Sequence, residues 1–421
     1  MGEYIFFVLV GAFIFWFFFV PAGPGPLSIR SWGGTTLQKA CRDLKGSSTE
    51  DGKQGFGTID GITWSVKIEK NVSFVIEVDL QLPFDSSFNL TREGLMSRLA
   101  KDLGKEDLLT GHDVFDQKML IRSESTLNAL ALLDKKLRSR LLTLAKFSDS
   151  LNLSNRGLKI VIDDMSISPY TLIRQIKRGV NICEHIEKKH DVQTMIIDNF
   201  LHDPVDAVRL KNLKVAALNY QSTERMLHDY EKTLKDSSLD VQIEGASLLG
   251  KKGAEHVAGV LRKKMTKMTT EELLKAVELF DAAGYVAAVP VLKNLFEKTS
   301  ELAVKTAVLR AFTTLGDETL SPFLERKLQV KESHIVAAAA AALGTCGTAS
   351  VLEKLYRVSE HEKGKTRQEI LAAMARIQER LGIDGGWLSA SETGEKDGAL
   401  SVTEAGAEGA LSMTERKKRK K

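Results

Sequence analysis

The chain has 421 residues, of which 43% are hydrophobic and 27% are charged, as in an ordinary globular protein. This composition excludes a collagen, a disulfide-rich scaffold and a wholly disordered chain, and the length predicts about two to three domains. The net charge of +4 is nearly balanced, so it gives no overall indication of nucleic-acid binding.

The first segment is strongly apolar and predicts a transmembrane anchor over residues 1–22. Tyr4–Val20 contains no charged residue, and Pro21 follows it. As a helix, this segment would be about 26 Å long, close to the thickness of the hydrocarbon core of a bilayer. We expect the anchoring side chains to include those of Tyr4, Phe7, Phe13, Trp16 and Val20.

A cleaved signal peptide is the alternative interpretation of this segment. A signal peptide usually has Lys or Arg before its apolar run, and this chain has neither there, but Val20-Pro21-Ala22 offers small residues for cleavage. If the segment is retained, the basic residues that follow it favour a single-pass membrane protein whose body lies in the cytoplasm. The opposite orientation is the remaining alternative.

Residues 23–54 are rich in Gly, Pro, Ser and charged residues, which is typical of a linker, with a short helix near Leu37–Leu44. Residues 55–190 predict a mixed α/β domain because strand and helix periodicities alternate along them. Asp60-Gly61 indicates a tight turn. The predicted strands and helices are, in chain order, Thr58–Ile68, Phe74–Leu82, a helix from Thr91 to Leu103, Lys118–Arg122, a helix from Leu127 to Phe147, Leu158–Ile162 and a helix from Pro169 to Lys189.

Motifs between Val114 and Asp163 resemble those of an uncharacterised bacterial domain of membrane-anchored proteins, and the resemblance extends over about 100 residues. In that domain a Phe-Asp/Glu-x-x-Phe-x-Val strand precedes a helix that ends in Leu-Leu-x-Leu. Phe115-Asp116 and Leu141-Leu142-x-Leu144 occupy these places, whereas Met119 replaces the second Phe. The resemblance implies an architecture and no activity, and alternation alone predicts that Phe115, Met119 and Ile121 face a core.

Residues 200–382 predict a repeated helical structure. Four units each contain an amphipathic helix, a glycine turn and a second helix, and a further helix ends at Gly382. The turn glycines are expected at Gly250, Gly284, Gly316 and Gly344, which gives spacings of 34, 32 and 28 residues. A single helical hairpin cannot bury its apolar face alone, so neighbouring hairpins should stack into a solenoid.

These units resemble short HEAT-type repeats, including those of the lyases that attach bilins, because each has a charged start, an Ala-rich first helix and a Leu-Gly turn. The resemblance implies an α-solenoid that presents a protein-binding surface, and it does not specify a partner. The fold class expected for the whole chain is therefore α+β followed by all-α.

Residues 383–421 predict a disordered tail that contains a short repeated motif. Gly-x-Leu-Ser occurs three times, and spaced copies suit multivalent capture by a partner; the alternative is a tail without function. The motif residues are Leu388, Ser389, Leu400, Ser401, Leu411 and Ser412. Six terminal cations could contact anionic lipid, or could simply keep the tail soluble: Arg416, Lys417, Lys418, Arg419, Lys420 and Lys421.

Few side chains suggest chemistry. His112-Asp113 with Asp116 is the nearest approach to a catalytic or metal-binding cluster, but metal phosphohydrolases need further distant ligands. Cys183 and His190 share a face of one predicted helix, whereas His185 points away, so a three-ligand metal site is not expected there.

Two other polar groups have structural interpretations. Asp163-Asp164 is expected in a solvated turn. In His202-Asp203-Pro204, Asp203 is expected to cap a helix whose first residue is Pro204.

The sequence contains no Walker loop, GxGxxG, GxSxG, HExxH or CxxC motif. We therefore expect a non-enzymatic scaffold that binds protein partners, with no catalytic residue, cofactor or metal. The alternatives are a lyase-like enzyme of the bilin-attaching HEAT type, or its accessory, and a binder of nucleic acid or anionic lipid through the basic tail; of these, nucleic-acid binding is the less expected.

Overall fold

The computed structural model describes residues 26–70, 72–92, 107–189, 191–220 and 223–383. The chain divides between Thr223 and Glu224 into two compact units. The first is a small mixed α/β unit, and the described part of the second is all-helical. Within the described ranges no helix combines the length and the apolar character needed to cross a bilayer. The predicted anchor, residues 1–22, and the predicted tail from residue 384 lie outside these ranges.

The first unit is built on an eight-stranded sheet whose neighbouring strands are antiparallel, in the order β1-β2-β3-β4-β8-β7-β5-β6. The strands are β1 (Ser47–Ser48), β2 (Gln54–Ile59), β3 (Ile62–Glu69), β4 (Ser73–Val78), β5 (Phe88–Arg92), β6 (Met119–Ser123), β7 (Ser150–Ser154) and β8 (Gly157–Ile162).

The strands form where apolar and polar residues alternate. In β3, Ile62, Trp64 and Val66 are buried, while the residues between them face outward. Asp60 and Gly61 both have positive φ, as a two-residue hairpin turn requires, so the predicted turn is confirmed between β2 and β3.

The helices of the first unit cover one face of the sheet or pack beside it. They are α1 (Pro26–Asp43), α2 (Asp113–Asp116), α3 (Thr126–Leu132), α4 (Lys135–Ala145), α5 (Pro169–Glu187), α6 (Val192–His202) and α7 (Asp206–Asn219). Residues of α1, α4 and α5 share one core with the strands. Phe115, Met119 and Ile121 are buried as the alternation predicted.

Residues 26–54 are not a linker. They form α1, β1 and the start of β2, and the described side chains of α1 pack on the sheet. The physical reason is a helical stripe at Leu37, Ala40, Cys41 and Leu44, all of which are buried. The predicted short helix near Leu37–Leu44 is therefore the end of a longer one.

Two helix predictions in this unit are also corrected. Thr91 lies in β5 instead of starting a helix, because it pairs with Leu120 and Asn152 of the neighbouring strands. The single helix expected from Leu127 to Phe147 is two helices, because Leu133 leaves the helical conformation and Asp134 caps α4 by accepting a hydrogen bond from the backbone N–H of Leu137.

The second unit consists of consecutive helices, α8 to α17. Their bounds are α8 (Glu224–Thr233), α9 (Leu239–Leu248), α10 (Lys251–Lys264), α11 (Thr270–Ala282), α12 (Val289–Lys298), α13 (Leu302–Leu315), α14 (Ser321–Lys327), α15 (Ser333–Cys346), α16 (Leu352–His361) and α17 (Gly364–Leu381). One apolar core runs through them.

The packing of these helices repeats along the chain. Each of the first helices α9, α11, α13 and α15 packs against the next first helix, and α12, α14 and α16 pack against the first helix that follows them. This arrangement is compatible with a solenoid. We call α8 to α17 the helical array.

Glycine turns connect several of these pairs. Gly250 and Gly284 end first helices with positive φ, and Gly382 ends α17 in the same way, as predicted. Gly344 is not a turn glycine. It lies inside α15, and a Cβ there would be 3.2 Å from Cα of Ala373 in α17. The turn is at Gly347, 31 residues after Gly316, so the repeat is more regular than the sequence indicated.

Candidate interaction surfaces

The His112–Asp116 loop is held together by its own hydrogen bonds. The carboxylate of Asp116 accepts from the backbone N–H groups of Thr110 and Gly111 at 2.9 Å and from the hydroxyl of Thr110 at 2.7 Å. Nδ1 of His112 accepts from the N–H of Phe115 at 3.3 Å and caps α2. These side chains therefore order the turn that leads into β6.

The side chains of α5 that suggested metal binding do not converge. Cys183 is buried, and burial raises the pKa of its thiol to about 12. Nε2 of His185 lies 2.9 Å from the carboxylate of Asp134, and His190 is outside the described residues. Within those residues no group of three or more His, Cys, Asp or Glu side chains could hold a metal ion.

Asp163 and Asp164 make local contacts at the end of β8. The hydroxyl of Ser73 donates to Asp163 at 2.7 Å. The N–H and hydroxyl of Ser166 donate to Asp164, and these hydrogen bonds lower the pKa of its carboxyl group. Both groups therefore act in the turn, as expected.

Asp203 does not start a helix. It ends α6, and the following helix begins at Asp206, so Pro204 is not the first helical residue. The carboxylate of Asp203 instead lies 2.7 Å from the guanidinium of Arg138 in α4, and both side chains are almost fully buried. Arg138 also donates to the carbonyl of Leu133 at 2.7 Å. No local pattern in the sequence indicates this pair, because its members are 65 residues apart.

A second polar cluster joins α4 to α5. Burial alone would raise the pKa of Asp134, but the hydrogen bond with His185 and the charge of Lys189 lower it well below its usual range. Nζ of Lys189 is 2.8 Å from the carboxylate of Asp134. This cluster and the Arg138–Asp203 pair both fix the positions of helices within the first unit.

The outer face of the sheet is polar and carries an open groove of about 930 Å³. Lys159 in β8 lies 3.5 Å from Glu77 in β4, and Asn152 in β7 contacts Asn89 in β5. These side chains contact one another across neighbouring strands.

Ion pairs connect successive second helices of the helical array. Lys252 of α10 contacts Glu231 of α8 at 2.5 Å, and Lys327 of α14 contacts Glu297 of α12 at 2.7 Å. Lys354 of α16 likewise contacts Glu325 of α14. Each contact fixes one pair of helices against the next.

An aromatic cluster reinforces the middle of the array. The rings of Phe296 and Phe323 meet edge to face with centroids 5.6 Å apart. The ammonium group of Lys327 lies 4.8 Å from the centroid of Phe296 and 4.9 Å from that of Phe323. Because Lys327 is largely enclosed, this contact is less screened than a surface ion pair.

The array also has charged residues on both rows of helices. Glu278 and Arg310 are exposed on the first helices, and Arg262 and Arg326 are exposed on the second helices. A partner that binds along the first helices or along the second helices would contact several repeat units at once.

The remaining predicted site residues lie outside the described residues. They are the anchor residues Tyr4, Phe7, Phe13, Trp16 and Val20, the tail-motif residues Leu388, Ser389, Leu400, Ser401, Leu411 and Ser412, and the terminal cations Arg416 to Lys421. Comparison of the chain with models of protein families and with curated proteins gave no match to either.

Proposed function

We propose that this protein is a membrane-anchored, non-enzymatic scaffold that binds protein partners along its helical array. The observation that carries this proposal is the succession of first helices, each packed against the next. Helix pairs stacked in this way resemble HEAT-type repeats and offer an extended surface for a partner.

The contacts between helix pairs support a preformed binding surface. Exposed ion pairs contribute only about 0–1 kcal/mol each, so the shared core is the main stabilising element. The ion pairs and the aromatic cluster add specific positions at which adjacent pairs are held in register. A partner that spans several pairs would then meet an ordered surface and lose less free energy in ordering it.

Attachment to a membrane is proposed from the sequence of residues 4–20, with the body in the cytoplasm. The three Gly-x-Leu-Ser motifs would provide a second, multivalent contact, and the terminal cations would contact anionic lipid. These elements would keep a partner of the array close to the membrane surface.

The test is site-specific photo-crosslinking with the full chain in membranes. A photo-crosslinking amino acid is placed at Glu278 or Arg310 on the first helices, and at Arg262 or Arg326 on the second helices. Arg156, an exposed residue in the turn between β7 and β8, provides the matched control position.

We expect one row of the array to give a discrete protein adduct that the control position does not give. The adduct should survive removal of residues 384–421 if the array itself is the binding surface. Absence of a discrete adduct from both rows would contradict the proposal. An adduct that disappears with the truncation would assign binding to the tail instead.

A further inference from the structure

Two aromatic rings are exposed at one end of the first unit. Phe147, just after α4, is 44% exposed, and Tyr170, in the first turn of α5, is 71% exposed. Trp64 and Phe74 of this unit are fully buried, and its other strongly exposed ring, that of Phe56, lies in β2. Phe147 and Tyr170 therefore form an exposed aromatic surface beside a well-packed core.

Two arginines lie over these rings. The guanidinium carbon of Arg174 is 5.5 Å from the ring centroid of Phe147 and 5.9 Å from that of Tyr170. The guanidinium carbon of Arg178 is 4.6 Å from the centroid of Phe147. Burial and the charge of Arg174 both lower the pKa of Arg178. We call Phe147, Tyr170, Arg174 and Arg178 the arginine–aromatic patch.

The positive charge of the patch is not neutralised within the described chain. Arg178 donates to the side-chain oxygen of Gln175, and across the described ranges neither arginine of the patch pairs with a carboxylate. Lys146 and Lys177 are exposed and add to the charge. The patch is therefore suited to an anion.

The nearest acidic residues along the chain are engaged in their own turns. Asp149 accepts a hydrogen bond from the N–H of Asp163 at 2.8 Å, and Asp163 accepts from Ser73. Asp164 accepts from Ser166. These carboxylates order the loops before β7 and after β8 and do not pair with the arginines of the patch.

The N-terminal end of α1 projects from the same end of the unit. A Cβ at Gly33 would lie 2.1 Å from the methyl carbon of Met165, which precedes α5, and 3.5 Å from a methyl carbon of Ile68 near the end of β3. Leu37 and Cys41 pack farther back along the sheet, against Gly55. Helix α1 therefore runs antiparallel to β3, and Pro26 lies about 10 Å beyond Gly33 along the helix axis.

The apolar segment that ends at Val20 reaches α1 over a short connection. Residues 21–25 separate Val20 from Pro26, and such a stretch spans at most about 20 Å. A bilayer that holds residues 4–20 would therefore lie close to the end of the unit that carries the arginine–aromatic patch.

We propose that the arginine–aromatic patch binds anionic phospholipid headgroups of the bilayer in which residues 4–20 are anchored. This inference rests on the membrane anchor of the proposed function. Guanidinium groups bind phosphate through paired donors, and aromatic rings are favoured at the level of the headgroups. Arginine beside aromatic rings also suits single-stranded nucleic acid, but the exit of the N-terminal segment at this end favours lipid.

The test places a fluorescent probe at the patch in the full chain. Ser166 is exposed four residues before Tyr170, and Ser166→Cys provides the labelling site while keeping the backbone N–H that donates to Asp164; the native cysteines are buried. Arg156→Cys labels the opposite end of the same unit. The chain is reconstituted in phosphatidylcholine vesicles, or in vesicles of phosphatidylcholine and phosphatidylserine in a two-to-one ratio, each with a headgroup-level nitroxide quencher.

We expect the probe at position 166 to be quenched in the anionic vesicles and much less in the neutral ones, and the probe at position 156 to be quenched in neither. Each cation near an anionic surface contributes roughly a five-fold factor, so R174Q/R178Q should weaken docking about 25-fold. The control R122Q/R156Q removes two exposed arginines at the opposite end and should leave quenching at position 166 unchanged.

Two outcomes separate this inference from the proposed function. If the chain floats with both kinds of vesicle but the probe at position 166 is not quenched by anionic lipid, the patch proposal is wrong and the anchor stands. If the chain floats with neither, both are wrong. Binding of a single-stranded oligonucleotide that needs Arg174 and Arg178, without quenching by lipid, would also overturn the lipid assignment.

Discussion

Replacement of Asp203 by alanine should destabilise the first unit strongly. The substitution removes the carboxylate that lies 2.7 Å from the guanidinium of Arg138, and the arginine side chain is only 2% exposed. The hydrogen bond from Arg138 to the carbonyl of Leu133 remains, but among the described residues Asp203 is the one carboxylate that pairs with this guanidinium. The guanidinium charge of Arg138 must then either stay buried without its carboxylate partner or reach water through local opening of the fold.

The magnitude follows from the distance and the burial. At 2.7 Å with an effective dielectric constant of about 20, the attraction of the pair is roughly 6 kcal/mol, and desolvation offsets part of it. Breaking one member of a buried pair typically costs about 3–5 kcal/mol. The double substitution of Arg138→Met with Asp203→Leu leaves no uncompensated buried charge. It should therefore cost less stability than Arg138→Met alone or Asp203→Leu alone.

Hydrogen exchange measured by mass spectrometry provides the assay, because the chain has two compact units and a single two-state transition cannot be assumed. Peptides from α4 and α6 should lose protection in D203A and regain it in the double variant, while peptides from α13 should not change. A cost below about 1 kcal/mol for D203A, or a double variant worse than both singles, would refute this account of the pair.

Three further predictions concern other contacts. Asp134→Asn should destabilise the first unit at neutral pH. Because folding lowers the pKa of this carboxyl, its contribution declines from about pH 4 downward and is lost as pH falls through the folded pKa, so the stabilities of the two proteins should converge progressively in acid. In α10, Gly253→Ala should destabilise, since a Cβ there would lie 1.9 Å from a carbonyl oxygen of α9, whereas Gly259→Ala has open space and should stabilise by about 1 kcal/mol, as hydrogen exchange of peptides from α9 and α10 would report. Lys327→Gln removes an enclosed ammonium from two rings and from Glu297, so it should cost about 1–2 kcal/mol in hydrogen exchange of peptides from the array, whereas Lys354→Gln, at an ion pair whose lysine is 57% exposed, should cost less than about 0.5 kcal/mol. Equal costs for the two lysines would contradict the last prediction.

Periodicity in the sequence predicted the parts of the fold whose residues repeat one pattern. The alternation in β8 and the proline at the start of α5 placed these elements correctly, whereas the strand expected over Thr58–Ile68 is the end of β2, the Asp60-Gly61 turn and most of β3. The division into a mixed α/β region followed by a helical region is likewise confirmed. Local patterns were sufficient because each of these segments has one clearly buried face.

The pattern failed where composition or tertiary contact outweighed it. The glycines of α1 suggested a linker, but Gly33 and Gly34 permit the close approach of α1 to the loops beside it. The short strand β7 was missed because only Leu151 and Leu153 carry its apolar face. The Arg138–Asp203 pair could not be predicted, since no local pattern links residues so far apart in the chain.

The two proposed surfaces differ in their physical basis, and ionic strength separates them. The arginine–aromatic patch depends on charge, and the Debye length falls from about 10 Å at 0.1 M salt to about 3 Å at 1 M. Quenching of a probe at Ser166 should therefore be lost at high salt. A partner that packs across several pairs of the helical array would bury apolar surface, which salt does not weaken in this way. Crosslinks from the array that persist at 1 M salt, together with loss of quenching at Ser166, would assign protein binding and lipid binding to separate surfaces.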